Sequence, residues 1–240
     1  VELLHTHTQY PEVRITMLQC RPQSHIQDAD EAALPRDLAP EDVIFLTQRM
    51  VPQGSVRNIR YVMFVTSEGY FSLSTQDERT KLERTISELN QALEGETFIA
   101  VGPGRWGTST PDLGVHVAYG DIFNARALVE LSGADIGASP EPSFGTHFFQ
   151  DLMEAHIFPL AVFLDDIGAV FNRDFFYKTP NRISKFIKAD KRLLKTLRLI
   201  AVEDFRAEHH LDLVMDGHQS RAAAYFVRDT PPATESDETQ

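Results

Sequence analysis

The chain has 240 residues, 42% of them hydrophobic, which supplies enough apolar surface for one large or two small packed domains. Its 35 Asp and Glu residues outnumber its 23 Lys and Arg residues, and the formal net charge of -12 disfavours nucleic acid and anionic membranes as partners. The single cysteine, Cys20, excludes an internal disulfide, and no apolar run approaches the ~20 residues that a membrane span needs. We therefore expect a cytoplasmic protein that binds neither nucleic acid nor membrane.

The first 22 residues contain two apolar stretches, residues 1–4 and 13–18, separated by a turn-like segment. This pattern predicts a β-hairpin whose second strand stops at Pro22, since proline cannot donate to a strand ladder. The chain opens without Met in what reads as a strand, so we expect further sequence upstream. Residues 23–40 are polar and rich in Asp, Ala and Pro, a composition typical of a linker.

Two strands are predicted at residues 43–46 and 60–65, on either side of a turn at residues 53–55. A helix follows, with Ser74 or Thr75 as its N-cap and acidic residues in its first turn. Its apolar residues recur at helical spacing and are Leu82, Ile86, Leu89 and Leu93. This stripe should face a sheet.

Residues 98–101 are short, apolar and rich in β-branched side chains, which predicts a buried strand. Further strands are predicted at residues 127–131 and 160–164, with a helix from Thr146 to His156 between them. This alternation of strands and helices indicates an α/β fold, with α+β as the other possibility, built from mixed sheets with helices packed on them.

Three more strands are predicted at residues 197–202, 211–215 and 222–227, in the order expected of a C-terminal antiparallel meander. Residues 41–228 are therefore expected to form one compact α/β domain. Residues 229–240 are acidic and lack large apolar side chains, which predicts a disordered tail.

Glu2 lies on the first predicted strand, and Gln19 and Arg21 lie in the Leu-Gln-Cys-Arg-Pro end of the second. This arrangement resembles the closing segment of the ATP-grasp nucleotide-binding domain in the phosphoenolpyruvate synthase and pyruvate phosphate dikinase family. The resemblance implies that Glu2 and Gln19 lie at the phosphates and the metal of Mg-ATP, with Arg21 nearby. It also implies that residues 1–22 end an ATP-grasp domain. On the residues alone, without this resemblance, a solvated hairpin face is the preferred interpretation.

The loop from Gly102 to Gly107, Gly-Pro-Gly-Arg-Trp-Gly, directly follows a predicted buried strand. Gly102 and Gly104 allow close approach of a ligand to the backbone, and exposed amides together with Arg105 can hold a phosphate or carboxylate. The alternative is a tight turn in which Trp106 fills an apolar gap. The loop resembles part of a region that follows the ATP-grasp segment in large bacterial phosphoenolpyruvate-synthase-like proteins.

His147 follows Gly145 and Thr146 at the start of a predicted helix. The positive end of the helix dipole favours the neutral, nucleophilic imidazole and stabilises an attached phosphoryl group. This placement resembles the Thr-His pair of the phosphohistidine domain of the dikinase family, although the residues after His147 depart from that family's pattern. The alternative is a histidine that only caps the helix or forms a structural hydrogen bond.

Together these features predict part of a phosphoenolpyruvate-synthase-like kinase or dikinase, a transferase that passes a phosphoryl group from Mg-ATP to a small acid or a carrier histidine. The implied cofactors are ATP and Mg²⁺, and the implied partners are an upstream ATP-grasp domain and a small anionic substrate. His147 and Arg105 are the predicted catalytic residues, and Glu2 and Gln19 the predicted metal ligands. The alternative is a non-catalytic metabolite-binding or regulatory module attached to an ATP-grasp domain.

Overall fold

The computed structural model describes residues 2–3, 15–16, 32–136, 143 and 146–229. The strands of these residues, in chain order, are β1 (Glu2–Leu3), β2 (Ile15–Thr16), β3 (Val43–Thr47), β4 (Gly54–Ile59), β5 (Tyr61–Val65), β6 (Phe98–Pro103), β7 (Ala127–Ser132), β8 (Phe158–Phe163), β9 (Val170–Phe171), β10 (Leu197–Ala201), β11 (His209–Asp216) and β12 (Arg221–Arg228). The α-helices are α1 (Ser67–Phe71), α2 (Gln76–Ala92), α3 (His147–Glu154), α4 (Arg173–Lys178), α5 (Ile183–Phe186) and α6 (Val202–Phe205).

The described strands form two five-stranded sheets and one short strand pair. The mixed sheet has the order β10-β5-β6-β7-β8, in which β5 to β8 run parallel and β10 is antiparallel to β5. The second sheet has the order β4-β11-β12-β3-β9 and is antiparallel throughout. The short pair joins β1 to β2 in antiparallel register, which confirms that the two predicted N-terminal strands pair.

The mixed sheet is buried on both faces, which explains why its parallel strands are almost entirely apolar. Along β5, Val62 and Phe64 pack with the antiparallel sheet, whereas Met63 and Val65 pack with the helical layer. The predicted apolar stripe of α2 belongs to that helical layer. The domain therefore has three layers, with the mixed sheet between helices and the antiparallel sheet, and the α/β prediction is confirmed.

The N-cap of α2 is Thr75, one of the two predicted residues, and it forms a capping box with Glu78. The Thr75 hydroxyl accepts from the Glu78 amide at 3.2 Å, and the Glu78 carboxylate accepts from the Thr75 amide at 3.1 Å. These two bonds satisfy backbone donors that a helix start otherwise leaves to water.

Substitution Thr75→Ala should therefore lower the free energy of unfolding by about 1 kcal/mol, the usual effect of losing a threonine cap. Urea titration followed by far-UV circular dichroism measures it. Thr80→Ala, inside the same helix, is the control. It should not lower stability, because alanine is a better helix former than threonine. Equal losses in both variants would show that the cap contributes nothing specific.

The predicted C-terminal meander is correct only for its last two strands. β11 and β12 pair as expected, but β10 pairs with β5 in the mixed sheet. Sequence adjacency favoured a single meander, yet β10 carries apolar side chains on both faces and is buried between two layers. The turn predicted at residues 53–55 is also wrong, because β4 begins at Gly54 and pairs with β11.

The segment predicted as a linker packs on the domain at its C-terminal end. Ala32 and Leu34 are buried in a small apolar cluster on the outer face of the antiparallel sheet, beside Val214 and Tyr225. Residues 17–31 and the predicted tail beyond Asp229 lie outside the described residues. Among the described residues, no helix is both long and apolar enough to cross a membrane.

Candidate functional site

The carboxyl ends of the parallel strands share one edge of the mixed sheet, the place where ligands commonly bind in α/β proteins. The loop that holds Arg105 follows β6 at this edge, and α3 with His147 lies between β7 and β8. The two candidate catalytic residues thus come from neighbouring connections of the same sheet.

A buried carboxylate, that of Glu130 in the middle of β7, joins these two connections. It accepts hydrogen bonds from the Trp106 amide at 2.9 Å and from the Ser143 amide at 2.7 Å. The Ser143 hydroxyl donates a third bond at 2.5 Å. The side chain is only 6% exposed, so few of these bonds can be replaced by water. Glu130 therefore fixes the loop after β6 relative to the segment that leads into α3.

The protonation of Glu130 is set by two opposing effects. Burial raises the pKa of its carboxyl group, because the charged form is removed from water. The hydrogen bonds from Ser143 and Trp106 and the positive charge of Arg105 act in the opposite direction.

Gly102 and Trp106 pack against each other at the centre of the loop. Gly102 lies opposite Glu130 in the neighbouring strand, and a Cβ atom built on Gly102 would lie 2.7 Å from the Trp106 ring. The ring is 1% exposed, and its Nε1 atom is buried without a hydrogen-bond partner in the described part of the chain. This is the packing that the alternative interpretation of the loop predicted, with Trp106 filling an apolar gap.

The backbone amides of the loop are engaged within the protein. Gly104, whose φ is +65°, donates to the Leu131 carbonyl at 2.8 Å, and the Arg105 amide donates to the Leu113 carbonyl at 2.8 Å. The Trp106 amide donates to Glu130, and the Gly107 amide donates to the Val115 carbonyl at 3.0 Å. The expected run of exposed amides is therefore not present at these four residues. Ligand-binding roles for Gly102 and Gly104 stay predictions.

His147 is exposed and is the first residue of α3. The Thr146 hydroxyl caps this helix by accepting from the Phe149 amide at 3.2 Å. A Cβ atom built on Gly107 would lie 2.4 Å from the Phe148 ring, so the loop of Arg105 touches the first turn of α3. The structure thus brings the Arg105 loop and the His147 helix together.

The predicted nucleotide-binding residues are described less completely. Glu2 lies in β1 opposite Thr16, but only its backbone is described, and Gln19 and Arg21 lie outside the described residues. Within the described ranges, no group of three His, Cys, Asp or Glu side chains is placed to hold a metal ion. The roles of Glu2 and Gln19 as ligands of Mg²⁺ stay predictions.

Sequence reasoning missed Glu130 and Ser143. Glu130 interrupts an otherwise apolar strand that is predicted to be buried, and an acidic residue in such a position is a signal of a specific partner. Ser143 gives no such signal, because its role depends on a contact with β7 that only the folded chain creates. Comparisons of this chain with protein-family models, with curated proteins and with solved structures find no match.

Proposed function

We propose that this chain is part of an ATP-dependent phosphotransferase of the phosphoenolpyruvate-synthase type, with His147 as the phosphoryl acceptor. The observation that carries the proposal is that His147 is exposed on the first turn of α3. The same turn contacts the loop of Arg105 through Phe148. An acceptor must be open to an incoming donor, whereas a core histidine would be buried.

The transfer involves one bond formed and one bond broken. A ring nitrogen of neutral His147 attacks a phosphorus atom of ATP, and the N–P bond forms as the P–O bond to the departing group breaks. The partial positive charge at the start of α3 stabilises the negative charge that arrives with the phosphoryl group. The Arg105 guanidinium adds positive charge at the same edge. ATP, with Mg²⁺, is supplied by the ATP-grasp domain proposed as the upstream partner.

The metabolite-binding alternative, in the form that uses the Gly102–Gly107 loop, has less support. Exposed amides were one of the two means by which that loop was expected to hold an anion, the other being Arg105, and the amides of Gly104, Arg105, Trp106 and Gly107 all have internal acceptors. For this reason we place phosphoryl transfer first.

The test uses the protein that includes its ATP-grasp domain, incubated with Mg²⁺ and with ATP labelled at the β- or γ-phosphate. We expect acid-labile label on the wild-type protein and its complete loss in His147→Ala. His156→Asn is the matched control, because His156 is exposed at the other end of α3 with φ of +59°, a conformation that asparagine tolerates. Absence of label in wild type, or its retention in His147→Ala, contradicts the proposal.

A further inference from the structure

A cavity of about 600 Å³ opens beside the carboxyl end of β5. It lies between α1, the start of α2 and the segment that leads into β10, and neither His147 nor Arg105 lines it. Its floor is closely packed, since a Cβ atom built on Gly69 of α1 would lie 2.6 Å from the Thr196 backbone. The volume is within the range of about 300–1,000 Å³ that is usual for small-molecule sites.

Four cationic side chains line this cavity, and they are Lys81, Arg192, Lys195 and Arg198. None of the four forms an ion pair with any carboxylate of the described residues. Four cations without an ion-pair partner among the described residues are therefore gathered around one cavity.

Two of the three carboxylates in the lining have other partners. Glu78 accepts from the amides of Ser74 and Thr75 at 3.0 and 3.1 Å as part of the α2 capping box. Asp190 accepts from the Arg192 amide at 2.9 Å. These bonds come from uncharged amides, so all three carboxylates keep their charge and the lining has four cations against three anions. The cavity thus has a formal excess of one positive charge on a protein whose net charge is -12.

Arg198 is the cation with the most restricted surroundings. One terminal nitrogen of its guanidinium donates to the Thr179 carbonyl, and its Nε atom is buried without a hydrogen-bond partner among the described residues. Burial lowers the pKa of Arg198, although an arginine remains charged in proteins. A partly desolvated guanidinium without a carboxylate is costly, and an anionic ligand would offset that cost.

We propose that this cavity binds a small phosphorylated molecule, with Arg198 as the central contact and the exposed Lys81, Arg192 and Lys195 around it. A phosphate group carries nearly two negative charges and is a strong hydrogen-bond acceptor for the terminal nitrogen of Arg198 that does not donate to Thr179. The apolar side chains of Leu73 and Leu193 and the ring of Tyr177 are available to the uncharged part of the ligand. This site is separate from His147 and does not depend on the phosphotransferase proposal.

Calorimetric titration of the 240-residue chain with inorganic pyrophosphate tests the assignment. We expect saturable binding by wild type and at least tenfold weaker binding by Arg198→Met, which keeps the length of the side chain but removes its charge. Arg228→Met is the matched control, because the Arg228 side chain is 75% exposed, lies in β12 and does not line the cavity. It should bind pyrophosphate as wild type does.

Lys195→Gln provides a second variant if Arg198→Met fails to fold, because Lys195 is exposed and its replacement leaves the core intact. It should weaken pyrophosphate binding severalfold, with an unchanged thermal midpoint. Absence of pyrophosphate binding by wild type would overturn the proposal, as would equal binding by wild type and Arg198→Met. Succinate bound as tightly as pyrophosphate would overturn the choice of a phosphorylated ligand.

Discussion

Substitution Glu130→Ala is expected to lower the free energy of unfolding by about 3 kcal/mol, because it leaves buried amides without acceptors. The amides of Trp106 and Ser143 and the Ser143 hydroxyl all donate to this one carboxylate. Urea unfolding, followed by tryptophan fluorescence of the single Trp106, measures the loss directly at the affected loop.

Two further variants show which part of Glu130 matters. Glu130→Gln keeps the volume but has one acceptor oxygen, so one backbone amide faces an NH₂ group, and we expect a loss of about 1–2 kcal/mol. Glu88→Ala is the control, because Glu88 is exposed on α2, and its loss should stay within about 0.5 kcal/mol. A loss below about 1 kcal/mol in Glu130→Ala would contradict a joining role for this carboxylate.

Substitution Gly114→Ala is the second change with a large expected effect, again about 3 kcal/mol of lost stability. Gly114 forms an antiparallel bridge with Gly104, and its φ of +151° is one that alanine rarely adopts. A Cβ atom there would lie 2.2 to 2.7 Å from backbone atoms of Arg105, which cannot move aside as a flexible side chain would. The change should therefore displace the Arg105 loop.

Gly120→Ala is the matched control for this substitution. Gly120 lies in an exposed turn only six residues further along, and a Cβ atom built there would meet no other atom within 4 Å. Its stability should remain within about 0.5 kcal/mol of wild type. If thermal unfolding gives the same midpoint for both alanine variants, the close approach between Gly114 and Arg105 does not exist in solution.

The elements that the sequence predicted well are those with a clear local pattern of apolar residues. The helix α2 begins at its predicted cap, and β6 and β7 begin at their predicted residues. In each case a local signal sufficed, namely helical spacing with a capping residue or a short β-branched run between turns. Pairing of strands was less predictable, and β10 shows why: only contacts with β5, more than 130 residues before it, place it in the mixed sheet.

The candidate sites show the same division between local and distant information. Sequence placed His147 at a helix start and Arg105 after a buried strand, and both are found there. The acceptors that engage the loop amides come from β7 and from residues 113–115, and no local pattern predicts such partners. The cavity of Arg198 also joins side chains that are far apart in the chain, such as Lys81 and Tyr177.

The two proposed sites occupy the same edge of the mixed sheet but differ in character. His147 is exposed, and its neighbour Phe148 contacts the loop of Arg105, whereas the cavity of Arg198 is a concave site lined by four cations, with no nucleophile proposed in it. Because the two proposals are independent, Arg198→Met should leave the labelling of His147 unchanged.

The most direct measurement is intact-protein mass spectrometry, at alkaline pH, of this chain joined to the ATP-grasp domain proposed upstream of it, after incubation with Mg-ATP, followed by fragmentation of the modified species. Our account predicts a phosphate-sized mass gain that maps to His147 and is lost on acidification, as expected of a phosphorus–nitrogen bond. No mass gain, or a gain that maps to another residue, would contradict phosphoryl transfer through His147.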